Sequence, residues 1–240
     1  RLDVAALDAA CAGAKVLLLN TPHNPTGTVY TRAETEAIAE IALRHDLTVI
    51  CDEVYEHLVF DGSEHIPLAT LPGMFERTVT LSSVGKSYSF TGWKVGWASG
   101  PPDLVEAVFL AKQWLSYTSG GPLQEAVALA LEEESVWPRE LAADLQGRRD
   151  LLCDGLASIG LTPRRPQGTY FAMTDISQLG WTDSLEFCRA LPERAGVVAI
   201  PGQVFYDSSA GDQLVRWAFC KDTAVIEEGL QRLAAVSLTK

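Results

Sequence analysis

With 240 residues, 47% hydrophobic and 21% charged, the chain is long enough to bury a sizeable core in one large domain or two small ones. Its formal net charge of −12 argues against a nucleic-acid partner, which needs a basic face, and the dispersed acidic residues do not make a disordered acidic tail. No apolar stretch approaches the ~20 residues of a membrane span, and the opening segment RLDVAALDAACAGAK has no signal-peptide layout, so no membrane partner and a cytoplasmic location are expected.

In chain order, residues 15–20 (KVLLLN) are a short apolar run that ends in the turn signal TPHNPTG, which predicts a buried strand followed by a loop. Thr31 and Glu34 make a T-x-x-E capping box, so a helix is expected from there to about residue 45. Residues 47–51 (LTVIC) predict the next strand, which ends at Asp52 and Glu53. Residues 77–82 (RTVTLS) predict a third, with Lys86 just beyond it, and a helix is expected over about 102–117. Continuously apolar strands alternating with helices imply a largely parallel sheet covered on both faces, in which ligands gather beyond the strand ends. A long helical segment follows over roughly 122–160, interrupted near Trp137-Pro138. Short strands over 168–175, 197–200 and 214–220 then mix with helices near 184–196 and from 222, which suggests a smaller α+β domain. The division expected is 1–135 for the large domain and 136–240 for the small one with its connecting helix.

Several chemistries fail on spacing. Gly85-Lys86-Ser87 resembles the end of a P-loop, but the glycine required five positions earlier is Thr80. The four histidines show no H-x-x-x-H spacing and no CxxC pair exists, so no metal site is expected. The five cysteines read as buried, reduced thiols. What remains is Asn24-Pro-Thr-Gly27 after one strand, Asp52 to Tyr55 after the next, Ser83 to Lys86 after a third, then Lys94 within TGWKVGW and Arg216 within VRW. Taken singly each has an ordinary structural reading: a turn, a loop cap, exposed lysines, an ion-paired arginine.

Taken together, NTPHNPTG, CDEVYEHLVFDG, SSVGKSYSFTGWKVGW, PQGTYF and VRWAFCKD resemble the aminotransferase class I/II family over essentially the whole chain. That resemblance implies an α/β fold: the pyridoxal-phosphate-dependent transferase fold type I, with part of the large, mostly parallel-sheet domain plus a smaller C-terminal α+β domain. It implies pyridoxal 5′-phosphate as cofactor and amino acids and 2-oxo acids as substrates. Lys86 would be the catalytic lysine that forms the Schiff base and, once freed, moves the substrate proton. Asp52 would partner the pyridine nitrogen, and Tyr55 and Asn24 would bond the ring 3′ oxygen. Ser83 and Lys94 would hold the phosphate, while Arg216, with Asn24 beside it, would bind the substrate carboxylate.

Within the family, the wording of the motifs resembles kynurenine and glutamine transaminases and, somewhat more, the N-succinyldiaminopimelate aminotransferases of lysine biosynthesis. A carbon–sulfur β-lyase of the same fold and the aminotransferase-like sensor domain of a transcription regulator stand as alternatives. The resemblance also implies a homodimer in the full-length form. Family members normally extend well upstream of Arg1, so a truncated product or partial gene model is expected here. It would lack the N-terminal arm, the first phosphate loop, the ring-stacking aromatic and the first strands, and would show an unfinished sheet edge, exposed apolar surface and a weak hold on the cofactor.

Overall fold

The computed structural model describes residues 2–118, 120–133 and 136–240, which divide into two compact units. The first comprises residues up to His23 and from Thr28 to Ala142; the second comprises Asn24–Gly27 and Ala143–Lys240.

The first unit opens with helix α1 (Val4–Cys11), capped by Asp3, whose carboxylate accepts from Ala6 N at 2.9 Å. This helix has no counterpart in the sequence reading, because its apolar residues follow no clear period. Strand β1 (Val16–Asn20) follows, then helix α2 (Arg32–Arg44). The capping box forms as expected: Glu34 N donates to Thr31 Oγ1 at 3.3 Å and Thr31 N donates to Glu34 Oε2 at 2.9 Å. Thr31→Ala should therefore destabilise the chain by about 1 kcal/mol in urea unfolding.

Strands β2 (Thr48–Asp52) and β3 (Thr78–Ser83) run parallel to β1 in the order β1-β2-β3, with Asn20 opposite Asp52 and Asp52 opposite Leu81. The one-turn helix α3 (Val84–Ser87) follows β3, and strand β4 (Gly96–Ser99) returns antiparallel to it. The sequence did not betray β4, because glycines rather than β-branched residues define it. A Cβ on Gly96 would lie 2.8 Å from Ser82 O, and one on Gly100 2.6 Å from Thr78 O, so close approach to β3 requires both glycines. Helices α4 (Pro102–Leu115) and α5 (Gly121–Glu133) complete this unit together with the start of α6 (Trp137–Ser158).

One hydrophobic core packs on the face of β1 and β2 that presents Leu19, Val49 and Cys51. Thr35, Ile38, Ala39, Ile41 and Ala42 make a single buried face of α2, and Leu19, Leu47, Val49, Cys51, Leu68 and Met74 are buried with it. Coverage of both faces is not seen at β1: Val16 is 52% and Leu18 72% exposed, because among the described residues only the Leu17 and Leu19 face is covered. Helix α4 contributes no buried residue, and its Trp114 is 84% exposed.

In the second unit α6 leads into an antiparallel sheet of β5 (Pro163–Arg164), β6 (Phe171–Asp175), β7 (Ile200–Pro201) and β8 (Leu214–Ala218), in the order β5-β6-β8-β7. The break expected near Trp137-Pro138 appears as the start of α6, where a proline in the first turn sacrifices no hydrogen bond. The preceding residues 134 and 135 lie outside the described ones. The strand expected over 197–200 shrinks to two residues: Gly196 ends α7 (Ser184–Ala195) in a left-handed conformation, and Pro201 has no N–H to extend the ladder. Helix α8 (Thr223–Ala234) closes the fold, and the Trp217 indole donates to Thr174 Oγ1 at 2.8 Å inside the sheet layer.

No helix among the described residues is long and apolar enough to cross a membrane. Cys11, Cys51, Cys153 and Cys188 are buried free thiols, whereas Cys220 is exposed. Burial pushes Cys153 up to about 11 and Cys188 up to about 12, so both are protonated and unreactive near neutrality.

Candidate active site

The parallel strands of the first unit carry the candidate residues at or beyond their C-terminal ends. Asp52 ends β2, half-buried, and its Oδ1 accepts from Val54 N at 3.2 Å. That bond turns the chain, and the next turn places Tyr55 in the interior with 3% of its surface exposed. Ser83 ends β3 and precedes α3, which carries Lys86. The Lys86 Nζ lies 5.9 Å from the centre of the Tyr55 ring, so a lysine after β3 and a phenol after β2 meet. Lys94 is exposed and left-handed (φ 55°), following a turn in which Thr91 Oγ1 donates to Gly85 O at 2.6 Å. Two residues later Gly96 pairs with Ser83, so the Lys94 turn is tethered to the strand that ends in Ser83.

Beneath these groups lies a buried pair that sequence reasoning missed. Glu53 is fully buried; its Oε2 is 2.8 Å from His65 Nε2, and its Oε1 accepts from Leu68 N at 3.3 Å. The pair ties residues 65–68 to the segment that carries Asp52 and Tyr55. A charged residue directly after an apolar strand was the available signal, but nothing in the sequence named a partner twelve positions on. His65→Ala would strand a buried carboxylate, and we expect a loss of roughly 3 kcal/mol in chemical denaturation.

In the second unit Arg216 stands on β8, half-buried, and its Nη1 donates to Asn24 Oδ1 at 2.8 Å. The Asn-Pro-Thr-Gly segment is more than a generic turn. Gly27 is left-handed (φ 69°), and its carbonyl accepts from Gln167 N and Gly168 N, both at 2.9 Å. A Cβ on Gly27 would lie 2.2 Å from Pro166 Cβ. Arg149, 1% exposed, steadies the other side by donating to Pro166 O at 3.0 Å. Gly27→Ala should therefore displace Asn24 from Arg216 and lower the melting temperature by several degrees, because it combines backbone strain with a clash.

The candidates thus form two groups. Asp52, Tyr55, Ser83, Lys86 and Lys94 belong to the first unit, with Lys86 and Tyr55 in contact; Asn24 and Arg216 are bonded to each other in the second. Among the described residues no cluster of His, Cys, Asp or Glu could hold a metal ion. A cavity of about 280 Å³ in the second unit, lined by Leu152, Trp217 and Ile226 among others, contains none of the candidates.

Residues 1–233 match the family model of aminotransferase class I and II. The chain belongs to the aminotransferase class I and II family. A relative from Mycobacterium tuberculosis, named as a probable N-succinyldiaminopimelate aminotransferase, is 49% identical over 93% of this chain and 58% of its own length. A kynurenine–oxoglutarate transaminase from Dictyostelium discoideum is 40% identical over 91% of this chain and 56% of its own length. Among solved structures, the N-succinyldiaminopimelate aminotransferase of Mycobacterium tuberculosis superposes with a TM-score of 0.94 at 50% identity, covering 98% of this chain and 62% of that one. The chain therefore spans between 56% and 62% of the length of these aminotransferases. The fold is the α/β fold type I of pyridoxal-phosphate-dependent aminotransferases.

The donor set fits that cofactor. An amine, a phenol, a carboxylate, a hydroxyl and an ammonium are the groups needed for an aldehyde, a ring oxygen, a ring nitrogen and a phosphate; Asp52 and Ser83 end β2 and β3, and Tyr55, Lys86 and Lys94 follow them in the same unit.

Proposed function

We propose that the chain serves pyridoxal-phosphate-dependent transamination between an amino acid and a 2-oxo acid, with N-succinyl-diaminopimelate as donor and 2-oxoglutarate as acceptor. The observation that carries the reaction is Lys86 directly after β3, in contact with the buried Tyr55. The substrate choice rests on the higher identity to the succinyldiaminopimelate enzyme (49%) than to the kynurenine transaminase (40%).

When bound, pyridoxal phosphate supplies an electron sink for the pair left behind at the substrate Cα. Lys86 would hold it through its amine and, once displaced by the substrate amine, its Nζ would take the proton from the substrate Cα. The Asp52 carboxylate would hold a proton on the ring nitrogen, and Tyr55 and Asn24 would hold the ring oxygen. Ser83 and Lys94 would hold the phosphate, Lys94 as a point charge. Arg216 takes the substrate carboxylate through its fork.

The test is a donor comparison with 2-oxoglutarate as acceptor. The succinylated donor should give a kcat/KM at least about tenfold above kynurenine, the discrimination that one well-made polar contact of roughly 1.4 kcal/mol supplies. Equal or reversed preference would move the chain to the kynurenine group. Release of ammonia and pyruvate from cystathionine without a 2-oxo acid would make it a β-lyase.

A further inference from the structure

Arg216 is held by more than Asn24. Its Cζ lies 3.9 Å from the centre of the Phe171 ring and 4.8 Å from that of Phe205. The guanidinium carbon thus lies over both rings, closer to Phe171. Phe171 is the inner ring, 8% exposed on β6, where it shares a sheet face with Arg216: Met173 is opposite Arg216 and Phe171 is the diagonal neighbour. Phe205 is the outer ring, 37% exposed, in the helical turn Gly202–Phe205.

That turn is pressed onto β8 by two glycines. A Cβ on Gly202 would lie 2.5 Å from Leu214 O, and one on Gly211 2.5 Å from Tyr206 Cδ2 and 2.9 Å from Gly202 O. The segment 202–206 can approach β8 only because both positions lack a side chain, and the approach brings Phe205 over Arg216.

We propose that Phe205 is a positioning residue for carboxylate recognition: with Phe171 it walls in the Arg216 guanidinium, fixes its plane and limits water on it, so that an incoming carboxylate meets an arginine already oriented by Asn24. This rests on the reading of Arg216 as the carboxylate-binding residue. An unrestrained arginine must give up side-chain freedom when it binds, and a walled one has already lost it. The rings also attract the cation without competing for its N–H groups. Alanine at 205 removes the outer wall and the attraction, leucine keeps the bulk without the π face, and tyrosine keeps both.

The experiment is calorimetric binding of 2-oxoglutarate to the pyridoxal-phosphate-loaded protein and to its F205A, F205L, F205Y, R216A and R216A/F205A variants, with thermal melting of each. Affinity should fall about tenfold in F205A and nearly as far in F205L, remain within about twofold of the parent in F205Y, and fall no further in R216A/F205A than in R216A. Loss of binding in R216A with F205A unaffected, or with F205L as good as F205Y, would overturn the role of Phe205 and leave the proposed function standing. Parent-like binding in R216A, or none in the parent protein, would overturn both. A general loss of structure would show as further weakening of R216A by F205A, which also contradicts the proposal.

Discussion

Replacement of Lys86 by alanine is expected to lower transamination by at least roughly 10²- to 10⁴-fold, the range for loss of a positioned proton-transfer group, with the further loss of its nucleophilic amine pushing toward the upper end. The position is demanding: Lys86 sits in a four-residue helix directly after β3, its Nζ 5.9 Å from the ring centre of Tyr55, a residue that is 3% exposed. Lys86→Arg should be as damaging as Lys86→Ala, because arginine keeps the charge but cannot deprotonate to attack a carbonyl. The measurement is single-turnover decay of the loaded protein with donor amino acid. Partial recovery by added small primary amines in the alanine variant only would separate missing chemistry from misfolding. A Lys86→Arg variant within tenfold of the parent would contradict the assignment.

Arg216→Ala should raise KM for both donor and acceptor and reduce kcat/KM by about 10²- to 10³-fold, the effect of removing one member of a close, desolvated charge pair. Arg216→Lys should recover little. A lysine ammonium cannot meet a carboxylate with two parallel bonds, nor reproduce a guanidinium carbon 3.9 Å from the centre of the Phe171 ring. Steady-state kinetics with donor and acceptor varied in turn would check this. A fall in kcat at unchanged KM would place Arg216 in the chemistry of the cofactor rather than in substrate binding.

Much of the frame was legible because local signals and global fold agree. The T-x-x-E box at Thr31 announced α2, and the runs KVLLLN, LTVIC and RTVTLS announced β1 to β3, since a parallel core strand needs continuous apolar residues. Asp52 and Lys86 have ordinary readings taken singly, and their proposed roles came from the resemblance of the whole set of motifs, which lie at or beyond the strand ends. Features that depend on close approach were not legible. Strand β4 exists through Gly96 and Gly100, and glycine reads equally well as a turn. The Phe171 and Phe205 walls around Arg216 come from positions 34 residues apart, joined by an antiparallel sheet and a turn that depends on Gly202 and Gly211. The Glu53–His65 pair likewise joins residues whose separation follows no repeat.

Apolar side chains along α4 and on one face of β1 are exposed, Trp114 by 84% and Leu18 by 72%. Their cost is a tendency to self-associate, which large exposed apolar patches promote. Activity and affinity are therefore best compared at low protein concentration.

The most direct test of the central claim is to load the protein with pyridoxal phosphate, reduce it with borohydride, digest it and map the labelled peptide by mass spectrometry. Label on Lys86 alone, lost in Lys86→Ala without transfer to Lys94, is the predicted result. Label on Lys94 or another lysine with Lys86 unmodified would contradict the site proposed here.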